Sequence, residues 1–340
     1  MPSKLTLYDK SGRRLDEINA SCKVEYKINE WGKLTFTIST SDPKCTEKNL
    51  RFGNYVIFEH DKLPTWGGMI DPPYQWGHGT ITIMAYSGEY ILSMRHTAKQ
   101  LDAEGTPGGV FQTLVENINT NDGYKIIQIG SIFGGGASIE RTYNYANIYD
   151  EVKKLSKDTA NDYEIIPIID ANGRLYFQAN WYEKKGRQTA MTFYEDKNVK
   201  LSSGLLREQG RISNQLTLYG DGSSFKSRPT AYRENIDSIG LYGIRQTASQ
   251  SQGDDIETNA DNLIKTSAYP RKTFDITAMD VGNTFQECRI GNTYPVNFYS
   301  VGFSGSGFGV SANIRILQMT YSDDANTLKL VADEEVADGD

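Results

Sequence analysis

The feature that most constrains this chain is a series of short strand-like segments between residues 32 and 90, separated by glycines. Residues 34–39 alternate apolar and polar side chains with a period of two, which is typical of a half-buried strand. Residues 55–58 are apolar on both faces and predict a strand covered on both sides. Residues 67–70 and 80–84 complete the series. Four such strands with turn residues between them indicate an antiparallel barrel or sandwich.

Size and composition restrict the remaining possibilities. A chain of 340 residues is too long for one small core and suits two or three domains. The 21 tyrosines and 32 glycines favour β structure with extensive contact surface. The formal net charge is −7 and no basic stripe is present, which excludes specific nucleic-acid binding through phosphates.

The pattern changes twice along the chain. Residues 1–95 read as wholly β, and residues 96–200 read as an α+β module. In that module Thr106 and Asn147 are each expected to cap a helix at its N-terminus, and residues 164–178 form a hairpin. From residue 201 to 333 β structure returns. A helix is predicted near 255–267. Four strands are predicted after it, at 272–279, 289–298, 312–321 and 327–332. Residues 334–340 are predicted to form an acidic, frayed tail.

Histidines and cysteines predict no metal centre. The three histidines fit no local metal motif, and the three cysteines contain no CxxC pair: His60, His78 and His96; Cys22, Cys45 and Cys288. Without a zinc site or a disulfide framework, folding in a reducing compartment is the simpler interpretation. We expect no catalytic residue, no metal and no cofactor.

Two enzyme or ligand interpretations stay open beside this one. Paired carboxylates are what a glycosidase uses, and two acidic clusters are close in sequence: Asp158, Asp162 and Glu164; Asp254, Asp255 and Glu257. Both clusters fall at helix ends, where the helix dipole favours acids without any catalysis. A sugar platform is the second possibility, and it would use the four tryptophans Trp31, Trp66, Trp76 and Trp181.

One glycine-rich segment suggests contact with another chain. Residues 302–309 contain Phe303 and Phe308 among four glycines, without the Lys-Ser/Thr of a phosphate loop. Two aromatic side chains on a mobile glycine loop are typical of a surface completed by a partner. We therefore predict Phe303 and Phe308 as an inter-subunit or lumen loop.

The N-terminus and the hydropathy pattern predict neither a leader nor a membrane span. Met1 leads directly into the strand-like residues 5–8, so no signal peptide is expected. No apolar run approaches the roughly 20 residues needed to cross a bilayer. We expect the protein to fold in the cytoplasm.

Several of these segments occur in a familiar order. Asn29-Glu30-Trp31-Gly32-Lys33-Leu34-Thr35-Phe36 is followed by Leu50-Arg51-Phe52-Gly53-Asn54-Tyr55-Val56, by Gly67-Gly68-Met69-Ile70 and by residues 81–90. This order resembles the opening of the baseplate-hub and tail-tip proteins of tailed bacteriophages and related contractile injection systems. Residues 211–220 and 290–296 resemble later strands of the same family, with Asn292 where Asp is common. The resemblance covers residues 3 to 333.

The resemblance implies a mainly β fold with two β-barrel domains, at 1–95 and 201–333, flanking a small mixed α/β module. It implies a non-enzymatic homotrimer whose ring adapts the sixfold tail tube to the threefold tip. The implied partners are the tail tube or distal tail protein ring, the tape-measure protein, downstream tip or fibre proteins, and passing DNA in transient contact. The implied location is the virion, after assembly in the host bacterial cytoplasm. A carbohydrate-binding receptor-recognition protein of the same particle is the alternative, ahead of a glycosidase.

Overall fold

The computed structural model describes residues 3–118, 125–200, 205–220, 227–250, 256–304 and 307–335. The chain divides into two units, the first from residues 1–203 and 275–335 and the second from residues 204–274 and 336–340. The three regions predicted from the sequence, 1–95, 96–200 and 201–333, stay predictions.

The first unit opens with eight strands and two short helices, whose bounds are β1 Lys4–Tyr8, β2 Arg14–Ile18, β3 Cys22–Lys27, β4 Lys33–Ser39, α1 Glu47–Leu50, β5 Tyr55–His60, β6 Leu63–Ile70, β7 Gln75–Gly77, β8 Thr80–Ser87 and α2 Glu89–Ser93. Leu34, Phe36 and Ile38 of β4 are buried, as the alternation predicts. All four residues from Tyr55 to Phe58 are buried, which confirms a strand covered on both faces.

The strand predicted to reach Tyr90 ends earlier, because α2 begins at Glu89. Gly88 approaches the backbone so closely that an added Cβ would lie 2.7 Å from the carbonyl oxygen of Ile165. The Glu89 carboxylate is buried beneath this contact, where it accepts hydrogen bonds from the backbone N–H of Ile165 at 2.9 Å and from the Ser87 hydroxyl at 2.5 Å. This contact between distant segments is not visible in the local pattern.

The following part of the chain contains the predicted helices and hairpin, with bounds β9 Leu101–Gly105, α3 Pro107–Ile118, β10 Ile127–Ile132, β11 Ile139–Tyr143, α4 Ile148–Thr159, β12 Asp162–Ile169, β13 Leu175–Tyr182, β14 Phe193–Tyr194 and β15 Val199–Lys200. The Thr106 hydroxyl accepts a hydrogen bond from the backbone N–H of Gly109, and the Asn147 side chain accepts one from that of Asp150. Both predicted N-caps are therefore confirmed. Strands β10, β13 and β12 form one sheet, and Phe111 of α3 packs against Trp181 of β13.

The second unit contains a three-stranded sheet with a helix against it. Its elements are β16 Leu206–Gln209, β17 Gln215–Tyr219, β18 Thr230–Glu234, α5 Ile236–Tyr242, β19 Gln246–Gln250 and α6 Ile256–Ser267. The sheet order is β18-β17-β19. Its core joins α6 to the sheet through six buried residues: Leu216, Leu218, Ala231, Ile256, Ala260 and Ile264. The helix predicted near 255–267 is confirmed for residues 256–267, and Asp255 lies outside the described residues.

The last elements are β20 Arg271–Ala278, α7 Thr284–Glu287, β21 Thr293–Ser304, β22 Gly307–Ser322 and β23 Thr327–Glu334. Strand β22 pairs with β21 and β23, and also with β3, where Tyr321 lies opposite Val24. The main sheet then runs in the order β15-β20-β23-β22-β3-β4-β8-β6-β5-β1-β2. The fold is thus mostly β with few helices. The two predicted barrels are not confirmed, since the pairings of the described residues leave β15 and β2 as separate ends and close no barrel.

Glu334 and Glu335, the first two residues of the predicted acidic tail at 334–340, are ordered parts of the fold. Glu334 is the last residue of β23, and Glu335 donates its backbone N–H to the carbonyl of Asn313 at 2.8 Å. The Glu335 carboxylate accepts hydrogen bonds from Thr293 and Lys184. The remaining residues, 336–340, lie outside the described ones. None of the helices in the described part of the chain combines the length and apolar content that a bilayer crossing needs.

We expect Glu89→Gln to flatten the pH dependence of stability between pH 5 and 8. Burial raises the pKa of Glu89 to about 7, although the bonds from Ser87 and Ile165 oppose the rise. A carboxyl group whose pKa is higher in the folded than in the unfolded protein stabilises the fold while it is protonated. This stability is fully present below the pKa of the unfolded state and is lost as the pH rises through the pKa of the folded state. The wild type should therefore lose about 3 kcal/mol of unfolding free energy over this range relative to the variant.

Urea unfolding at several pH values measures this difference. Glu47→Gln is the matched control, because the Glu47 side chain is 87% exposed on α1 and should leave the pH dependence as it is. Equal pH profiles for Glu89→Gln and the wild type would contradict the assignment.

Candidate assembly surface

The two phenylalanines singled out in the sequence form the end of a β-hairpin. Phe303 of β21 lies directly opposite Phe308 of β22, and their rings stack with centroids 5.6 Å apart. The side chains are 78% and 77% exposed. The predicted glycine loop is thus largely strand: pairing continues to Ser304 and resumes at Gly307. Gly302 and Gly309 have φ of 79° and 118°, which glycine adopts without strain, and they lie where the hairpin strands bend.

The segment below these rings is anchored by one carboxylate. Glu195 accepts hydrogen bonds from the backbone N–H groups of Tyr299 at 2.8 Å and Ser300 at 2.9 Å, and from the Ser300 hydroxyl. Burial acts to raise the pKa of Glu195, but these hydrogen bonds outweigh it and the pKa lies below its ordinary value. The ionised carboxylate therefore holds β21 at the register shift between Phe298 and Phe303.

Exposed phenylalanines are unfavourable in water and favourable in an interface. Burying one such side chain contributes about 1.5–3 kcal/mol, so covering both Phe303 and Phe308 has the size of a binding hot spot. The pair is preorganised by the strand pairing beneath it, which lowers the entropy lost when a partner binds. The hairpin thus has the exposed apolar rings and the fixed backbone that a contact surface needs, and its contact with another chain stays a prediction.

The second unit carries an apolar surface that the sequence analysis missed. Helix α5 and the residue after its C-cap expose three aliphatic side chains: Ile236 at 73%, Leu241 at 70% and Ile244 at 62%. Asn235 caps the helix by accepting a hydrogen bond from the backbone N–H of Ser238, and Gly243 ends it with φ of 69°. Asn followed by Gly eight residues later was the available sign of this helix, although its outward face has no amphipathic pattern to reveal it.

The tryptophans do not share an exposed groove. Trp66 and Trp181 are buried, whereas Trp76 is 71% exposed. Trp31 packs against the rings of Tyr149 and Tyr90. Three of the four tryptophans are thus used in packing, and the arrangement that a sugar platform needs is not formed by them.

Those acids of the two candidate glycosidase clusters that the structure describes are engaged in ion pairs or hydrogen bonds. Asp158 pairs with Arg141 at 2.8 Å, and Glu164 pairs with Lys185 and accepts the Tyr182 hydroxyl at 2.6 Å. In the second cluster, Glu257 pairs with Arg233 at 2.7 Å, and Asp254 and Asp255 lie outside the described residues.

Asp162 is the most enclosed member of these clusters. It pairs with Arg315, and it accepts hydrogen bonds from the Asn29 side chain at 2.8 Å and the backbone N–H of Lys185 at 2.6 Å. The side chains of Asp162 and Arg315 are only 5% and 14% exposed. A carboxylate that is largely buried and accepts three hydrogen bonds in this way has the contacts of a structural group.

The histidines and cysteines are likewise dispersed. His60 Nδ1 accepts the backbone N–H of Lys62 at 3.1 Å, and burial lowers its pKa. All three cysteines are free, and burial raises the pKa of Cys288 to about 12. Within the described ranges, no three His, Cys, Asp or Glu side chains come together as metal ligands would.

The complete arrangement of strands and helices matches solved structures of known proteins. It is similar to the prophage tail protein gp18 from Listeria monocytogenes EGD-e, with a TM-score of 0.63 and 12% identity over 98% of this chain and 94% of that one. It is also similar to the tail protein from Neisseria meningitidis MC58, with a TM-score of 0.61 and 10% identity over 98% and 97%. The chain has a phage tail-protein fold.

A similar fold occurs in a VgrG complex. A chain of the Francisella PdpA-VgrG complex matches with a TM-score of 0.56 and 9% identity, over 98% of this chain and 52% of that one. The structural neighbours are thus phage tail proteins and VgrG-like proteins, in line with the family resemblance seen in the sequence. No family model and no curated protein matches the sequence.

We expect Asp162→Asn to destabilise the protein strongly without any catalytic role for Asp162. Removing the charge leaves the buried Arg315 guanidinium uncompensated, and breaking a buried pair costs about 3–5 kcal/mol. Denaturant unfolding measures the loss. Glu30→Gln is the control, because its pair with Lys153 is about half exposed and should cost at most about 1 kcal/mol. A loss below about 1 kcal/mol for Asp162→Asn would count against a structural role.

We expect Glu195→Ala to loosen the base of the phenylalanine hairpin. Without the carboxylate, the backbone N–H groups of Tyr299 and Ser300 lose charge-assisted hydrogen bonds and should exchange with solvent at least about tenfold faster. Hydrogen exchange by mass spectrometry of residues 296–304 reports this directly. Tyr299→Phe removes only the hydroxyl contact with Asp196 and should leave the exchange rate near that of the wild type. Unchanged exchange in Glu195→Ala would refute the anchoring role.

Proposed function

We propose that this protein is a non-enzymatic structural hub of a phage tail tip or baseplate. The observation that carries the proposal is the extent of the fold similarity: 98% of this chain aligns with 94% of one phage tail protein and 97% of another. A likeness of whole chain to whole chain supports a shared architectural role more than a likeness limited to one domain would.

The state of the polar residues supports a structural role over the two alternatives. A glycosidase needs two carboxylates that converge on a pocket, yet Asp158, Asp162 and Glu164 are held in ion pairs. A carbohydrate platform needs aromatic faces in one groove, yet Trp66 and Trp181 are buried. Neither alternative has a specific observation in its favour.

In the finer form of the proposal, three copies form a ring. This homotrimer adapts the sixfold tail tube to the threefold tip, and its opening gives passage to DNA or the tape-measure protein during host entry. The exposed Phe303–Phe308 pair is the contact through which a copy meets its neighbour or faces the lumen. An interface of this type needs an apolar centre, and the stacked rings supply one.

The partners follow from that position in the particle. The ring contacts the tail tube or distal tail protein ring on one side and downstream tip or fibre proteins on the other. DNA makes only transient contact, since a net charge of −7 per chain repels a polyanion and no sequence is read. The protein is located in the virion tail and is assembled in the host bacterial cytoplasm.

We expect the double variant Phe303→Ser/Phe308→Ser to assemble poorly while folding normally. Both rings are more than three-quarters exposed, so their loss leaves the core intact, whereas an interface loses two apolar anchors. The apparent dissociation constant of the assembly should rise at least about 100-fold. Mass photometry with and without the tail-tube protein measures the species, and thermal unfolding verifies the fold.

The control is Trp76→Ser, which removes an equally exposed aromatic ring on β7 and should assemble like the wild type. Wild-type particles close to three times 38.1 kDa, or rings in electron micrographs, would support the hub. A wild-type protein that stays monomeric, even with the tube protein present, would refute it.

A further inference from the structure

The first unit contains a polar cavity that no part of the assembly proposal uses. It has a volume of about 590 Å³ and lies between residues 187–190, which follow β13, and residues 283–292, around α7. Its charged and amide side chains are Arg187, Gln188, Asn283, Gln286, Glu287, Arg289 and Asn292. The volume is within the range of ligand sites, but the polar lining does not suit an apolar small molecule.

The backbone around the cavity is held in place by close packing and hydrogen bonds. Gly186 has φ of 102°, and a Cβ added there would lie 2.1 Å from the carbonyl oxygen of Gly291. The backbone N–H of Arg187 donates to Asn292 Oδ1 at 3.0 Å, and the N–H of Thr293 donates to the carbonyl of Arg187 at 3.0 Å. The backbone of Arg187 is therefore held in a fixed position at the wall of the cavity.

Two arginines that line this cavity have no ion-pair partner among the described residues. Among the residues that the structure describes, none forms an ion pair with Arg187 or Arg289, although most other cations near β13 and β22 have one. Arg289 is half-buried, and the single bond of its guanidinium goes to the carbonyl of Cys288 at 2.6 Å. A partly desolvated cation without a counter-charge is unfavourable, and a bound anion would remove that cost.

The remaining side chains favour a peptide carboxylate over a phosphate group. Glu287 also lines the cavity, and its charge opposes a doubly charged ligand more than a singly charged one. The side-chain amides of Gln188, Asn283 and Gln286 have no hydrogen-bond partner among the described residues, and they offer donors and acceptors that match a peptide backbone.

We propose that this cavity binds an acidic segment of a partner protein, with one Asp or Glu side chain of that segment between Arg187 and Arg289. The two guanidinium groups hold the carboxylate, and the amides of Gln188 and Gln286 bind the flanking peptide groups. The proposal stands on the cavity itself and does not depend on the position of the protein in a tail.

The experiment uses an acetylated, amidated probe peptide, Gly-Ser-Glu-Gly-Ser-Glu-Gly-Ser, titrated into the full chain and followed by calorimetry or NMR. We expect saturable binding that weakens with salt. The double variant Arg187→Gln/Arg289→Gln should bind at least about tenfold more weakly, since hydrogen bonds to charged groups are lost. Arg13→Gln is the control: Arg13 is exposed and does not line the cavity, so the variant removes one positive charge, as each single cavity substitution does, and should bind like the wild type.

Each outcome decides the proposal. Binding of the glutamate peptide but not of its glutamine counterpart, lost only in the cavity variant, supports it. Equal affinity in the wild type and the double variant overturns it. Inorganic phosphate that binds these arginines more tightly than the peptide also overturns it, because the ligand would then be a phosphate. If thermal unfolding shows that Arg289→Gln does not fold, the exposed Arg187→Gln alone carries the test, with binding at least about threefold weaker.

Discussion

The fold of the first unit depends on the pairing of β3 with β22. This antiparallel ladder places residues 23–27 against residues 318–322, so the beginning and the end of the chain share one sheet. Closing so long a loop is entropically costly and must be offset by burial. Val24, Met319 and Tyr321 provide that burial, and Asp323 secures the end of the ladder by accepting the backbone N–H of Cys22 at 3.1 Å.

A second non-local contact joins the mixed module to this sheet. Arg315 of β22 reaches the carboxylate of Asp162 at the start of β12 and also donates to the carbonyls of Gly291 and Lys185. Such a buried pair adds little net stability over an apolar contact. It forms, however, only when β12 and β22 are positioned so that the two charges meet. Asp162, which the sequence analysis considered as a glycosidase acid, thus links β12 to β22.

The hairpin and the cavity lie at the two ends of β21 and differ in character. Thr293 begins the strand and bonds to Arg187 and Thr189 beside the cavity, whereas Phe303 lies near its other end. Along the paired strand β22, seven residues separate the positions opposite them, Arg315 and Phe308, or about 23 Å. Apolar rings at one end suit a contact that excludes water, and guanidinium groups at the other suit recognition by charge. One strand therefore lies between the two surfaces that we propose as contacts for partners.

The sequence by itself determined the elements whose pattern is local. Alternation in residues 34–39, the caps Thr106 and Asn147, and the turn at residues 170–173 each fix backbone geometry over a few residues, and each is confirmed in the structure. The order of these segments also carried the resemblance to tail-tip proteins. Phe303 and Phe308 were predicted as a contact for the same reason, because two aromatic residues among glycines are recognisable without knowledge of their neighbours.

Only the tertiary structure decided what distant residues do together. It ended the predicted strand at Ser87 because Gly88 packs against Ile165, left the predicted barrels unclosed among the described residues, and assigned Asp162 to Arg315. It also brought Arg187 and Arg289 to one cavity although a hundred residues separate them. Periodicity and capping depend on the residues of one segment, so they predict its backbone conformation. A buried charge pair or a shared cavity depends on which segments meet, and the burial and strand pairing of the whole chain decide that.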